Sequence, residues 1–302
     1  MQSVSFKNRS IIMAGSLCQP RDFKDGARYP AVVVVHPAGG VKEQTAGEYA
    51  KRLAAEGFVA LAFDASYQGE SGGEPRYLDE PMNRVGDIYS AVDYLTTLPF
   101  VDGERIGILG ICAGGGYSVK AASLDRRIKA VATASAANVG NAARKGWDGK
   151  SPMSALPGTL EMLVKQRTAE ANGAEVAYAP YVPKVGEASP FRDLREGTDY
   201  YCTPRGQHPN APNKMLISSL MGWIAFDAFD LVDPLLTQPL MICAGSEADS
   251  LWQSRELYAK APGSSKELFL IEGKSHMDLY DGDGRETVLG KIIPFFKERL
   301  SL

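Results

Sequence analysis

Cys112 stands in Gly110-Ile111-Cys112-Ala113-Gly114, between the apolar run Arg105–Leu109 and a segment with helical character from about Tyr117 to Ser123. A nucleophile on a sharp strand-to-helix turn is held in a strained backbone conformation, and the residues two before and two after it must be small because strand and helix nearly touch. Gly110 and Gly114 meet that demand. The plainer alternative is a buried cysteine beside a phosphate-cradling loop. Gly114-Gly115-Gly116 has the spacing of neither common nucleotide motif, and no Lys-Ser/Thr follows it.

A thiol alone is a weak catalyst, because an ordinary cysteine is only about 3% thiolate at neutral pH. Full ionisation adds at most about 30-fold, or roughly 2 kcal/mol. A paired base supplies that gain and also protonates a leaving group. The chain has three histidines. His276, in Glu272-Gly273-Lys274-Ser275-His276, follows the last expected strand and so falls at the same sheet edge as Cys112. His36 ends the AVVVV run, where its backbone shapes a loop, and His208 lies in a proline-rich stretch. We therefore expect His276 as the base, with His208 and His36 as weaker alternatives.

A third group should fix the imidazole tautomer. Gly245-Ser246-Glu247-Ala248-Asp249 follows the strand Leu240–Ala244, and Asp249 is preferred to Glu247, which sits nearer the strand. Asp249 also suits a helix N-cap ahead of Leu251. The chain order is thus nucleophile, acid, histidine. An oxyanion formed at Cys112 needs two backbone donors, and Ala113 at the helix start offers one. The second should come from His36-Pro37-Ala38-Gly39, where Pro37 has no N–H, leaving Ala38 first and Gly39 second. Losing one such donor costs about 2.7–4 kcal/mol of transition-state stabilisation, more than the thiolate gain. The same glycines also suit a plain tight turn.

These groups must be carried by a frame, and the pattern supplies one. Short strands at Val4–Lys7 and Ile11–Leu17 precede Ala31–Val35, a run of apolar residues without alternation that suits a strand covered on both faces. Helical spacing follows over Gln44–Glu56, then a strand over Phe58–Phe63, a helix over Asn83–Leu98, and strands at Arg105–Leu109 and Lys129–Ser135. Near the end come strands at Leu240–Ala244 and Lys266–Ile271 and helices at Leu251–Ala261 and Arg285–Leu300. The alternation predicts an α/β fold, a mostly parallel, doubly wound sheet. It lapses between Asn138 and Gln238, a stretch with nine prolines and helical character at about Gly158–Ala171 and Lys214–Ala228. We expect residues 1–137 and 238–302 to form the core and 138–237 a helical cap lying over the sheet, not an independent domain.

Composition bounds the partners. The 302 residues carry 33 basic and 36 acidic side chains, with no basic run. That excludes the concentrated positive field of a nucleic-acid or membrane-surface binder. The apolar stretch Ser219–Leu236 is interrupted by Asp227, Asp230 and Asp233, too polar to span a bilayer. The amino terminus has no export signal, and the four cysteines form no zinc spacing, so a cytoplasmic protein with reduced thiols is expected. Asp281-Gly282-Asp283-Gly284 lacks the calcium-loop ligand pattern and reads as a surface turn. No metal or cofactor is expected, and the partner is a small acyl compound, with self-association left open.

Taken with HPAGG, DASYQGESGG, GICAGGG, GSEADS and GKSHMDLYD, the chain resembles an α/β-hydrolase over its length outside the insertion. Cysteine in the elbow resembles the dienelactone hydrolases, while the long insertion, VKEQTAGEYAKRLAAEGFVALAFDASYQGESGGEP and GICAGGGYSVKAA are more similar to capped bacterial hydrolases related to fungal polyketide acyltransferases and thiohydrolases. The resemblance implies Cys112, Asp249 and His276 as a triad with Ala38 and Ala113 as oxyanion donors. It also implies a glutamate near the oxyanion loop that contacts the resting thiol; Glu43 is the nearest, although a first-turn acid near a helix start is equally satisfied by solvent. Gly39, Tyr67 and Gln68 are further residues expected to border a substrate. The expected activity is hydrolysis of an ester, thioester or lactone through an acyl-cysteine. The alternatives are acyl transfer to an alcohol, amine or carrier thiol, and a non-catalytic small-molecule binding protein.

Overall fold

A computed structural model describes residues 1–302. Eight strands form one sheet: β1 (Gln2–Asn8), β2 (Ile11–Cys18), β3 (Tyr29–Val35), β4 (Val59–Phe63), β5 (Val101–Ile111), β6 (Ile128–Ala134), β9 (Leu240–Gly245) and β10 (Lys266–Ile271). Two more strands, β7 (Tyr178–Ala179) and β8 (Met215–Leu216), pair with each other in the insertion. The sheet order is β1-β2-β4-β3-β5-β6-β9-β10, antiparallel at β1, β2 and β4 and parallel from β4 to β10.

The unalternating apolar runs are explained by helices on both faces. Ala31, Val33 and Val35 of β3 enter one half of the core, against Val85, Ile88, Val92 and Leu95 of α2 (Pro81–Thr97) and Val119 of α3 (Ala113–Leu124). Val32 and Val34 enter the other, with Tyr49 and Leu53 of α1 (Thr45–Ala55) and Ile292 and Phe296 of α10 (Gly282–Arg299). Successive strand side chains point to opposite faces, so a strand lined on both sides must be apolar at every position. Helix α9 (Leu251–Lys260) joins β9 to β10.

The insertion between β6 and β9 holds α4 (Val139–Lys145), α5 (Leu156–Ala171), α6 (Arg192–Cys202), α7 (Ser219–Ala225) and α8 (Val232–Leu235) besides β7 and β8. The helix expected over 158–171 is α5. The helix expected over 214–228 is instead the short strand β8 followed by α7. The sequence pattern gave no sign of α4 or α6; a hydrophilic helix such as α6, with Tyr200 and Tyr201 as its large buried side chains, hides among prolines and charges. No helix is long and apolar enough to cross a membrane.

Candidate active site

The longest strand, β5, lies between β3 and β6, and Cys112 follows its last residue. Its backbone has φ 55° and ψ −123°, the left-handed region that side chains rarely adopt. A Cβ on Gly110 would collide with the Gly114 carbonyl, and one on Gly114 with the Val35 and His36 carbonyls. Strand, elbow and helix therefore approach as closely as the glycine spacing implies.

His276 arrives from the far side of the sheet. The loop after β10 folds back across the end of β9, where a Cβ on Gly245 would meet the Lys274 and Ser275 carbonyls. Ser135, just past β6, donates its hydroxyl to the His276 carbonyl at 3.0 Å. The imidazole is buried and reaches the Cys112 sulfur, as does the Tyr280 hydroxyl, which also lies 3.3 Å from His276 Nε2. Burial alone would raise the Cys112 thiol, but the His276 charge and hydrogen bond, the Tyr280 hydroxyl and the Ala113 N–H outweigh it and hold it below its ordinary value. Burial would likewise lower His276, yet Cys112, Asp193 and Glu196 raise it. Each shift favours a thiolate beside an imidazolium. Tyr280 is pushed well up by burial and then by the Cys112 charge, so its hydroxyl stays a donor.

The third position differs from the expectation. His276 Nδ1 bonds Ser250 Oγ at 2.7 Å, and that hydroxyl donates to Asp193 Oδ2 at 3.2 Å. Asp193, buried on α6 of the insertion, also accepts from Trp147 Nε1 at 2.9 Å, Ser250 N at 3.1 Å and His276 N at 3.2 Å. Asp249 stands one bond further out, its Oδ2 accepting from Asp193 N at 3.0 Å. Asp249 thus caps the first turn of α6, not that of its neighbour α9, and the hydrogen bond of His276 Nδ1 goes to Ser250 rather than to Asp249. Asp193 lies 56 residues before Asp249 in the proline-rich insertion, where no local spacing signals it. Ser250, adjacent to Asp249, was the nearer clue.

Ala38 and Gly39 lie opposite the elbow, and neither N–H is bonded within the protein. Arg84, buried on α2, fixes this loop by donating to the His36 carbonyl at 3.1 Å and the Ala38 carbonyl at 3.3 Å. Asp79 sits 3.7 Å from Arg84 and accepts the Tyr181 hydroxyl at 3.1 Å, and the Tyr181 ring covers Gly39. The other two histidines do not reach the thiol. His36 Nε2 accepts from Ala65 N at 3.1 Å, and burial followed by Arg84 keeps this ring neutral; His208 Nδ1 accepts from Asn210 N.

Of the remaining expected residues, Gly39 borders the cavity at Cys112, whereas Glu43, Tyr67 and Gln68 do not. Tyr67 has left-handed φ and turns into a surface crevice against Gly73. Gln68 donates to the Tyr181 hydroxyl at 3.1 Å, behind the cavity wall. Glu43 bonds Lys42 Nζ at 2.5 Å. That ammonium also binds Asp64 at 2.8 Å and Glu70 at 2.7 Å, and so sits where three carboxylates would otherwise suit a metal ion. The cavity encloses about 240 Å³ between the sheet edge and the insertion, and 16 of its 20 lining residues are hydrophobic.

Sheet order and elbow are those of an α/β-hydrolase, a hydrolytic enzyme. The dienelactone hydrolase family model matches residues 13–179, and the chain belongs to that family. It is 46% identical to Uncharacterized protein YcjY of Escherichia coli (strain K12), with 98% of each chain covered. The crystal structure of hypothetical protein PA2218 from Pseudomonas aeruginosa superposes with a TM-score of 0.91 at 38% identity, covering 99% of this chain and 93% of that one. Thiohydrolase aneE of Aspergillus aculeatus is 24% identical over 91% of this chain and 87% of its own.

Proposed function

We propose that the protein hydrolyses an ester or thioester through an acyl group carried on Cys112. The observation that carries this reading is the strained Cys112 thiol meeting His276 at the mouth of a capped apolar cavity. The Cys112 thiolate attacks the carbonyl carbon and forms a C–S bond, while the oxyanion takes the N–H groups of Ala38 and Ala113. As the leaving group departs, His276 passes it the proton. Water then enters, His276 takes its proton, and the thiolate leaves as the acid forms. Ser250 and Asp193 hold Nδ1 protonated, so Nε2 faces the reacting atoms; Asp249 holds Asp193 in turn. Similarity to a thiohydrolase supports a thioester as one substrate form. Acyl transfer is the second reading, favoured by the apolar cap, which limits water.

Kinetics on a panel of activated esters and thioesters test the assignment. Cys112→Ala should lose at least about 10³-fold in kcat/KM. Full activity in that variant would overturn the reading, and product analysis with added alcohols, amines and thiols separates hydrolysis from transfer.

A further inference from the structure

The cavity at Cys112 holds information about the acyl group. It has no lysine or arginine in its lining. Its one carboxylate, Asp193, is already met by four donors. His276, on the cavity wall, is turned to Cys112, and Arg84 stands behind the oxyanion loop, held by Asp79 and two carbonyls. A negatively charged acyl chain would therefore enter an apolar space without a counter-charge and beside a carboxylate, an arrangement strongly disfavoured by desolvation.

Two donors among the lining residues are left over. The Tyr201 hydroxyl and Trp223 Nε1 are buried and neither donates a hydrogen bond within the protein, although the Tyr201 oxygen is within reach of the Tyr280 hydroxyl. Both residues line the cavity. Tyr201 is 9% exposed, and the Tyr280 hydroxyl beside it is within reach of Tyr201 as well as of His276 and Cys112. Buried donors are nearly always paired, and an unpaired one at a cavity wall is a place where a ligand supplies the acceptor.

We propose that the cavity takes an uncharged acyl chain bearing an accepting oxygen beyond the reacting carbonyl, read by Tyr201 and Trp223. The proposal rests on the acyl-cysteine reading above and adds the substrate class to it. A carbonyl or ether oxygen on the chain accepts from the two donors, while the remaining methylenes pack on the apolar wall. The carboxylate analogue of equal length is refused because nothing pairs its charge.

The test uses N-acetylcysteamine thioesters of hexanoate, of 3-, 4- and 5-oxohexanoate, and of glutarate, which leaves one free carboxylate. Rates of acyl uptake on Cys112 are followed by mass spectrometry, alongside steady-state kcat/KM. At least one oxo chain should exceed hexanoate by about tenfold or more, and the glutaryl chain should be the slowest. In Tyr201→Phe and, independently, Trp223→Phe, the preferred oxo chain should lose its advantage, the ratio to hexanoate falling to within about twofold for at least one variant. Equal rates for hexanoyl and every oxo chain, a faster glutaryl chain, or an unchanged ratio in both variants would overturn the substrate class while leaving the acyl-cysteine intact. If no chain ever appears on Cys112, the mechanism itself fails and this inference with it.

Discussion

At Cys112 two opposing effects meet. Burial by itself raises a thiol, but the His276 charge, two hydrogen bonds and the Ala113 N–H bring this one below its ordinary value. The sign follows directly. With the thiol lowered and His276 raised, the two titrations are drawn toward each other, and each shift favours the ion pair over the neutral pair. Alkylation of Cys112 by iodoacetamide should therefore have its midpoint below about pH 8.5, the ordinary thiol value, and fall as pH drops through the lowered one. His276→Asn removes the compensating charge but not the burial, so the midpoint should move above about 8.5. Tyr280→Phe removes one donor and should move it upward by less, with kcat/KM reduced about 10- to 100-fold. An alkylation profile identical in wild type and His276→Asn would contradict the pairing. The cysteine was legible in the sequence because its demands are local: glycines two residues away on either side have no room for a side chain. Tyr280 was not, although it lies four residues after His276, because a tyrosine there carries no local mark of what it faces.

At the scale of elements, the site is assembled by loops at strand ends and by one helix of the insertion. Strands and helices of the core were readable from unbroken apolar runs such as AVVVV and FVALAF, since these are covered on both faces. Helix α6 was not, because its Asp193 works through long-range contacts with Ser250 and His276, on two separate loops, that leave no periodic trace. This separates Asp193, which the sequence pattern does not single out, from Asp249, which it does. Asp193→Asn should reduce kcat/KM on the order of 10²-fold, short of the roughly 10⁴ seen when an acid bonded directly to a catalytic histidine is neutralised, because Ser250 stands between. Asp249→Ala should lower kcat/KM by less than about tenfold and stability by about 0.5–2 kcal/mol, the range for a lost helix cap. Measured kcat/KM and urea midpoints for the pair check both numbers, and a larger activity loss at Asp249 than at Asp193 would reverse the assignment.

Across the whole molecule, residues 138–237 share the core of the sheet. Phe226, Phe229, Val232 and Leu236 belong to one half of it and Val182, Tyr200 and Tyr201 to the other. The accessible surface of 12412 Å² agrees with roughly 12,000 Å² for a compact chain of this mass. We predict a single cooperative unfolding transition, with near-UV dichroism and the tryptophans at 147, 223 and 252 reporting the same midpoint; a separate earlier tryptophan transition would mark the insertion as an independent unit. The same closure that makes the molecule one unit keeps the thiol beside its imidazole under an apolar roof. The most direct measurement of that arrangement is rapid-quench mass spectrometry during turnover of an activated acyl thioester. The account predicts an acyl adduct that peptide mapping places on Cys112, forming no slower than product appears and decaying at the turnover rate, and absent in Cys112→Ala. Turnover at full rate with Cys112 unmodified at every time point would contradict it.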